Sequence, residues 1–219
     1  SCTDIISNAV ALTVSPMAIG GTATVNNATS CSGTNYTLTL TSASVGSTYQ
    51  WEISNDGGAT WANATGAGNN GTYSSSPQSY TTNQTPGTYQ YRAKVTNGSC
   101  DVYSNPVSVT IKTAPTALTS ITPNKTAVCS GDTVDYAYNL GTYNSLFTYE
   151  ISFDNGGSWQ TLGATGATGN VAHAYNVSAT TVPTVIIRAS NAPCTPQTIS
   201  NSTVTVSPAL TAGTTTVDS

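Results

Sequence analysis

Two eight-residue stretches set a carboxylate, hydroxyls and a tryptophan at one spacing: SNDGGATW, from Ser54 to Trp61, and SFDNGGSW, from Ser152 to Trp159. Both fit S-x-D-x-G-x-[ST]-W, carried by Ser54, Asp56, Gly58 and Trp61 in the first copy and by Ser152, Asp154, Gly156 and Trp159 in the second. The chemistry such a carboxylate raises is glycoside hydrolysis, which works through two acidic side chains flanking the scissile bond. The copies stand about 98 residues apart, so the period itself is a second clue.

The pattern resembles the Asp-box of sialidase propellers. That resemblance would require a cluster of arginines for the substrate carboxylate, an acid, a tyrosine nucleophile and blades repeating at far shorter intervals. Arg92 and Arg188 are the only arginines, and they hold equivalent places in the two copies. The alternative is a hairpin in which Asp-Gly-Gly tolerates positive φ, the Ser54 and Asp56 side chains accept from turn amides, and the tryptophan covers the turn. This structural reading is preferred. His173 is the only histidine and has no histidine partner for a metal or a relay, so a surface or loop position is expected. No second motif supports a Ser or Cys triad. Asp132 and Asp135 offer fewer oxygens than a Ca²⁺ loop gathers. The expectation is therefore no catalytic residue, no metal and no cofactor.

The 219 residues suffice for one large domain or two of about 100 residues each. Only 6% are charged and the net charge is -4. Without a basic run, nucleic acid is not expected as a partner. Apolar runs are short and alternate with Thr or Ser, so no membrane insertion is expected. The first residues lack the features of a signal peptide. The Asn-x-Ser/Thr sequons, about nine against some six expected by chance in so Ser/Thr-rich a chain, carry little weight.

The elements that position these residues come from a repeat. Cys31-Ser-Gly recurs as Cys129-Ser-Gly, Trp51 as Tyr149, and Trp61 as Trp159. SCTDIISNAVALTVSP at the start matches segments beginning at Ser99 and Pro193, and the C-terminal SPALTAGTTTVDS matches the segment beginning at Ser15. The expected organisation is the end of one repeat over 1–16, repeats over 17–114 and 115–208, and the start of another over 209–219, with proline at each boundary. Within a repeat the apolar period is two: Tyr36, Leu38 and Leu40; Tyr49, Trp51 and Ile53; Tyr89, Tyr91, Ala93 and Val95; Val107, Val109 and Ile111. This predicts an all-β chain of tandem immunoglobulin-like sandwiches with about seven strands each, with Trp51 and Tyr149 in the core on strand C. Strand B is placed near 34–42, C near 47–54, F near 88–97 and G near 103–112. In the second repeat a shorter F–G connection is expected.

The order C-S-G, Y-Q-W-E-I-S-x-D-G-G-x-T-W, Y-x-Y-R-A, then C and S-N-x-V-x-V resembles the Ig-like repeats of large Bacteroidota-type surface adhesins and gliding-motility proteins exported by the type IX route. The resemblance implies an extracellular, cell-surface location.

Five cysteines in such a chain suggest disulfides. Cys2, Cys100 and Cys194 are equivalent, as are Cys31 and Cys129. An Ig fold suggests pairing within units, Cys31 with Cys100 and Cys129 with Cys194. Against that, Cys31 precedes strand B and Cys100 follows strand F. B and F run the same way, so these residues belong at opposite ends of a sandwich, more than ~20 Å apart, where a disulfide needs Cα atoms within about 7 Å. The preferred pairing is Cys31 with Cys194 across a junction, with Cys2, Cys100 and Cys129 finding partners in other repeats.

Two functions follow. The preferred one is a non-enzymatic stalk or filament segment of a large adhesin, giving length and mechanical strength, with neighbouring repeats as partners and surface glycans or other cell-surface proteins as further candidates. The alternative is a carbohydrate-binding accessory module of a secreted multidomain protein, since the chain has 12 tyrosines and aromatic faces stack on sugar rings.

Overall fold

The structure is a computed structural model that describes residues 16–210 together with Ala11 and Val14. Cys2 and almost all of the segments expected over 1–16 and 209–219 lie outside the described residues. The chain forms two compact units that divide between Ile111 and Lys112. Among the described residues every regular element is a strand, and no helix is long and apolar enough to cross a membrane.

The first unit contains β1 (Thr22–Val25), β2 (Thr29–Cys31), β3 (Tyr36–Thr41), β4 (Thr48–Ser54), β5 (Ala62–Asn63), β6 (Asn70–Thr72), β7 (Gln78–Thr82), β8 (Gly87–Asn97), β9 (Cys100–Tyr103) and β10 (Val107–Lys112). One sheet runs β1-β3-β7; the other runs β2-β10-β8-β4-β5, with β6 also on β4 and β9 on β8. The second unit contains β11 (Ser120–Pro123), β12 (Ala127–Cys129), β13 (Thr133–Asn139), β14 (Thr148–Ser152), β15 (Gln160–Thr161), β16 (Thr168–Ala174), β17 (Val185–Asn191), β18 (Cys194–Asn201) and β19 (Thr205–Ser207). Its sheets are β11-β13-β16, β15-β14-β17-β18, and the parallel pair β12-β19. In both units the first strand breaks and changes sheet, the fourth strand and the short segments hydrogen-bonded to it form the C and C′ region, and the last strand is interrupted. Joined that way, each unit is an immunoglobulin-like sandwich of about seven strands.

The period-two pattern places the cores. Tyr36, Leu38 and Leu40 are buried along β3 while the threonines between them face out. Trp51 is fully buried and stacks on Tyr80 with ring centroids 6.4 Å apart. In the second unit Tyr149 takes its place, and the smaller ring is supplemented by Tyr143 stacked on it at 5.6 Å and Phe147 at 6.2 Å. The Tyr149 hydroxyl also accepts from the Asn144 amide at 3.0 Å. Strands β3 and β8 are joined across the first core by the Tyr36 and Tyr91 hydroxyls, 2.6 Å apart, at strands where an Ig domain would carry its disulfide. Burial and this hydrogen bond raise the Tyr36 pKa above the ordinary phenol value.

Three expectations need correction. The F–G connection is two residues in both units, since Asn97 pairs with Cys100 and Asn191 with Cys194. The shortening lies in the strand, with a register shift between Ala189 and Asn191. Strand G begins earlier than expected, at Cys100, and breaks at Ser104-Asn105-Pro106 because Pro106 has no amide to donate. Finally, His173 is neither a surface nor a loop residue. It sits on β16, half-buried, stacked on Phe153 at 3.9 Å with its ring edge to Tyr175 at 4.5 Å.

Candidate functional site

The two Asp-box stretches are the hairpins that follow β4 and β14. Ser54 is buried and its Oγ donates to Asp56 Oδ1 at 2.7 Å while accepting from the Gly58 amide at 2.8 Å. Asp56 Oδ1 accepts from the Thr60 amide at 2.9 Å, and Oδ2 from the Thr60 hydroxyl at 2.5 Å. The second hairpin repeats the set: Ser152 Oγ to Asp154 Oδ1 at 2.7 Å, Gly156 amide to Ser152 Oγ at 2.8 Å, and the Ser158 amide and hydroxyl to Asp154 at 2.8 and 2.6 Å. The turn needs left-handed backbone at two successive positions, Gly57 (φ 74°) and Gly58 (φ 91°), matched by Asn155 (φ 59°) and Gly156 (φ 85°). Asn is the side chain that best tolerates that region after glycine. At Gly58 a Cβ would also meet Gln90 Oε1 at 2.7 Å.

These bonds fix the chemistry of the carboxylates. The Thr60 hydroxyl and amide, then the Ser54 hydroxyl, hold Asp56 down at about 2, and the Ser158 and Ser152 hydroxyls with the Ser158 amide hold Asp154 at about 2. A glycosidase acid needs a pKa raised toward neutrality, the opposite displacement. Both carboxylates serve as acceptors that close a turn.

The tryptophans have a partner that sequence reasoning missed. Trp61 Nε1 donates to the Gly58 carbonyl at 2.9 Å, and its ring faces the Arg92 guanidinium at 4.2 Å. Arg92 also lies 3.8 Å from the Tyr103 ring and donates from Nε to Glu52 Oε2 at 2.8 Å. In the second unit Arg188 lies 3.9 Å from the Trp159 ring and donates from Nε to Glu150 Oε2 at 2.7 Å. The signal was present: in a chain with 6% charged residues, a Glu before each Asp-box and an Arg on each F strand recur together. Trp61 and Tyr103 thus both lie against one cation.

The other singled-out residues have local partners. Asp132 Oδ2 accepts from the Cys129 amide at 3.0 Å, and Asp135 Oδ2 from Asn124 Nδ2 at 3.2 Å. Among the described residues no three His, Cys, Asp or Glu side chains gather as a metal site. The S-N motif anchors the first strand: Asn105 Oδ1 accepts from the Ala23 amide at 2.9 Å and Nδ2 donates to its carbonyl at 3.0 Å, and Asn201 Nδ2 donates to Ile121 O at 3.2 Å.

Cys31 and Cys194 are disulfide-bonded, whereas Cys100 and Cys129 are free. A bridge from Cys31 to Cys100, or from Cys129 to Cys194, is therefore not what the fold forms. Cys194 is buried, with its sulfur 3.7 and 3.6 Å from the carbonyl oxygens of Lys112 and Thr113, where the chain enters the second unit. Cys129 lies opposite Ser207 in the parallel β12-β19 pair, where the chain leaves that unit.

The fold and these sites define tandem immunoglobulin-like modules. Residues 19–113 match the model of a family described as Domain of unknown function (DUF8696). No curated protein matches the chain. Among solved structures, the crystal structure of murine CEACAM1b is similar over 84% of this chain and 98% of that one, at 14% identity and a TM-score of 0.48. The mouse coronavirus receptor-binding domain complexed with its murine receptor gives 83% and 98%, at 12% identity and a TM-score of 0.49. For the chicken CNTN1 FN1-FN3 domains the figures are 86% and 65%, at 16% identity and a TM-score of 0.37, so the chain spans less than two thirds of that structure.

Proposed function

We propose that the chain is a non-enzymatic, tension-bearing spacer segment of an extracellular repeat protein, of the kind found in large cell-surface adhesins exported by the type IX route, and that its repeats are joined by disulfides across their junctions. The observation that carries this reading is the division of the cysteines. Cys31, at the end of β2, and Cys194, at the start of β18, are disulfide-bonded, while their equivalents Cys129 and Cys100 are free. Bonding Cys31 to Cys194 ties the exit of one repeat to the entrance of the next. The same rule gives Cys100, Cys129 and Cys2 partners in further repeats, over the units proposed as 17–114 and 115–208. Such bonds persist outside the reducing cytosol, which supports an extracellular location. Carboxylates held in turns and a surface with few charges suit length more than chemistry.

The test is a distance distribution between spin labels, one on each unit, recorded for the oxidised chain and for Cys31→Ser. A narrow distribution that broadens on substitution supports a stapled junction. Equal widths in the two proteins would contradict it.

A further inference from the structure

We propose that the first unit carries a binding cleft for a neutral saccharide, set between its Asp-box hairpin and the β7–β8 connection. This goes beyond the spacer reading and does not depend on it. The cleft measures about 360 Å³ and is lined by Ile53, Asn55, Thr60, Trp61, Gln84 and Tyr89. That volume falls within the ~300–1,000 Å³ of small-molecule sites.

Its walls combine what a sugar ring requires: flat apolar faces for the C–H side of the ring and amides that both donate and accept for its hydroxyls. Trp61 is held by its bond to the Gly58 carbonyl and backed by Arg92. The Tyr89 hydroxyl is held by Thr85, with Oγ1 and the carbonyl oxygen each at 3.1 Å. Both rings are therefore positioned before any ligand arrives, which lowers the ordering cost of binding. Asn55 is exposed at the rim. The lining contains no carboxylate, amine, guanidinium or imidazole, and the charges behind it are already paired, Arg92 with Glu52 and Asp56 within its turn. A charged ligand would find no counter-charge, so the class selected is neutral.

The second unit supplies an internal comparison. Its cleft at the corresponding end, about 380 Å³, is lined by Phe153, Asp154, Asn155, Tyr175, Val182 and Pro183 among others, without Trp159 and without a residue matching Gln84. Repeat alignment on Arg92 and Arg188 puts Val185 where the first unit has Tyr89. The first cleft combines a tryptophan face with two amides, Asn55 and Gln84, whereas the second has one amide, Asn155, and the Asp154 carboxylate in its lining.

The experiment is titration of the whole chain by calorimetry and tryptophan emission with cellohexaose, xylohexaose, mannohexaose, maltohexaose and N-acetylchitohexaose, each to about 10 mM, a range that reaches weak single-site binding. At least one sugar should saturate a single site. Asn55→Ala, at an exposed position, should weaken it by about 2- to 10-fold, the loss of one hydrogen bond. Tyr89→Val should remove it with the strand signal in circular dichroism retained, and Val182→Ala in the second unit should leave it unchanged. Failure of all five sugars to saturate, or binding whose affinity survives both Asn55→Ala and Tyr89→Val, would overturn the proposal.

Discussion

Arg92 and Glu52 face each other across the β4-β8 ladder and share a 2.8 Å hydrogen bond, with the Glu52 side chain only 11% exposed. Arg188 and Glu150 repeat the pairing on β17 and β14. Removing Arg92 leaves a largely dehydrated carboxylate without its cation, so Arg92→Ala should cost about 2–4 kcal/mol. Arg92→Lys should recover only part of it, since an ammonium cannot lie flat between Trp61 and Tyr103. Denaturant unfolding in a double-mutant cycle with Glu52→Gln checks this; a coupling energy near zero would contradict it.

The Asp-box carboxylates give a pH signature. Their folded pKa of about 2 lies below the unfolded value near 3.9, so their stabilisation is complete above that unfolded value and is lost as pH falls through about 2. Carboxyl chemical shifts should show both groups still ionised at pH 3. Titration of Asp56 near 3.8 would mean that the Thr60 and Ser54 bonds do not form in solution.

Much of this was legible beforehand, and the reason is physical. A sandwich strand exposes one face, so Tyr36-Thr-Leu38-Thr-Leu40 states its own orientation, and Asp-Gly-Gly states a turn through its backbone freedom. What stayed hidden was tertiary pairing. Nothing local to Glu52 says that Arg92 is its ladder partner, and nothing near His173 says that Phe153 will cover it. The cysteines were a middle case: strand direction argued against pairing Cys31 with Cys100, but the bonded state of Cys194 needed the fold.

His173 should make the second unit acid-sensitive. Burial against Phe153 and Tyr175 lowers its pKa, opposed by the Asp154 charge. A histidine whose folded pKa lies below the unfolded value near 6.5 costs stability as pH falls through that window. Thermal unfolding at pH 7.5 and pH 5 should show a drop in the midpoint of the second unit that His173→Phe removes. An equal drop in the variant would assign it to other groups.

Asn105 clamps the edge strand with two bonds to Ala23. Asn105→Ala should destabilise the first unit by about 1–3 kcal/mol and raise hydrogen exchange at the Ala23 amide. Unchanged protection there would show that β1 holds without the clamp.

If, as proposed, tension passes from repeat to repeat through a Cys31–Cys194 bond, extension of the single chain from its two ends measures it most directly. With that bond closed, only the residues outside it can extend, about 60 of them, giving a final contour near ~200 Å at ~3.4 Å per residue. On reduction all 219 residues extend, to about 740 Å. A contour of ~200 Å in the oxidised chain, rising to ~740 Å with reductant, is the predicted result. An oxidised contour near ~300 Å, as separate bridges within each unit would give, or a length that reductant does not change, would contradict it.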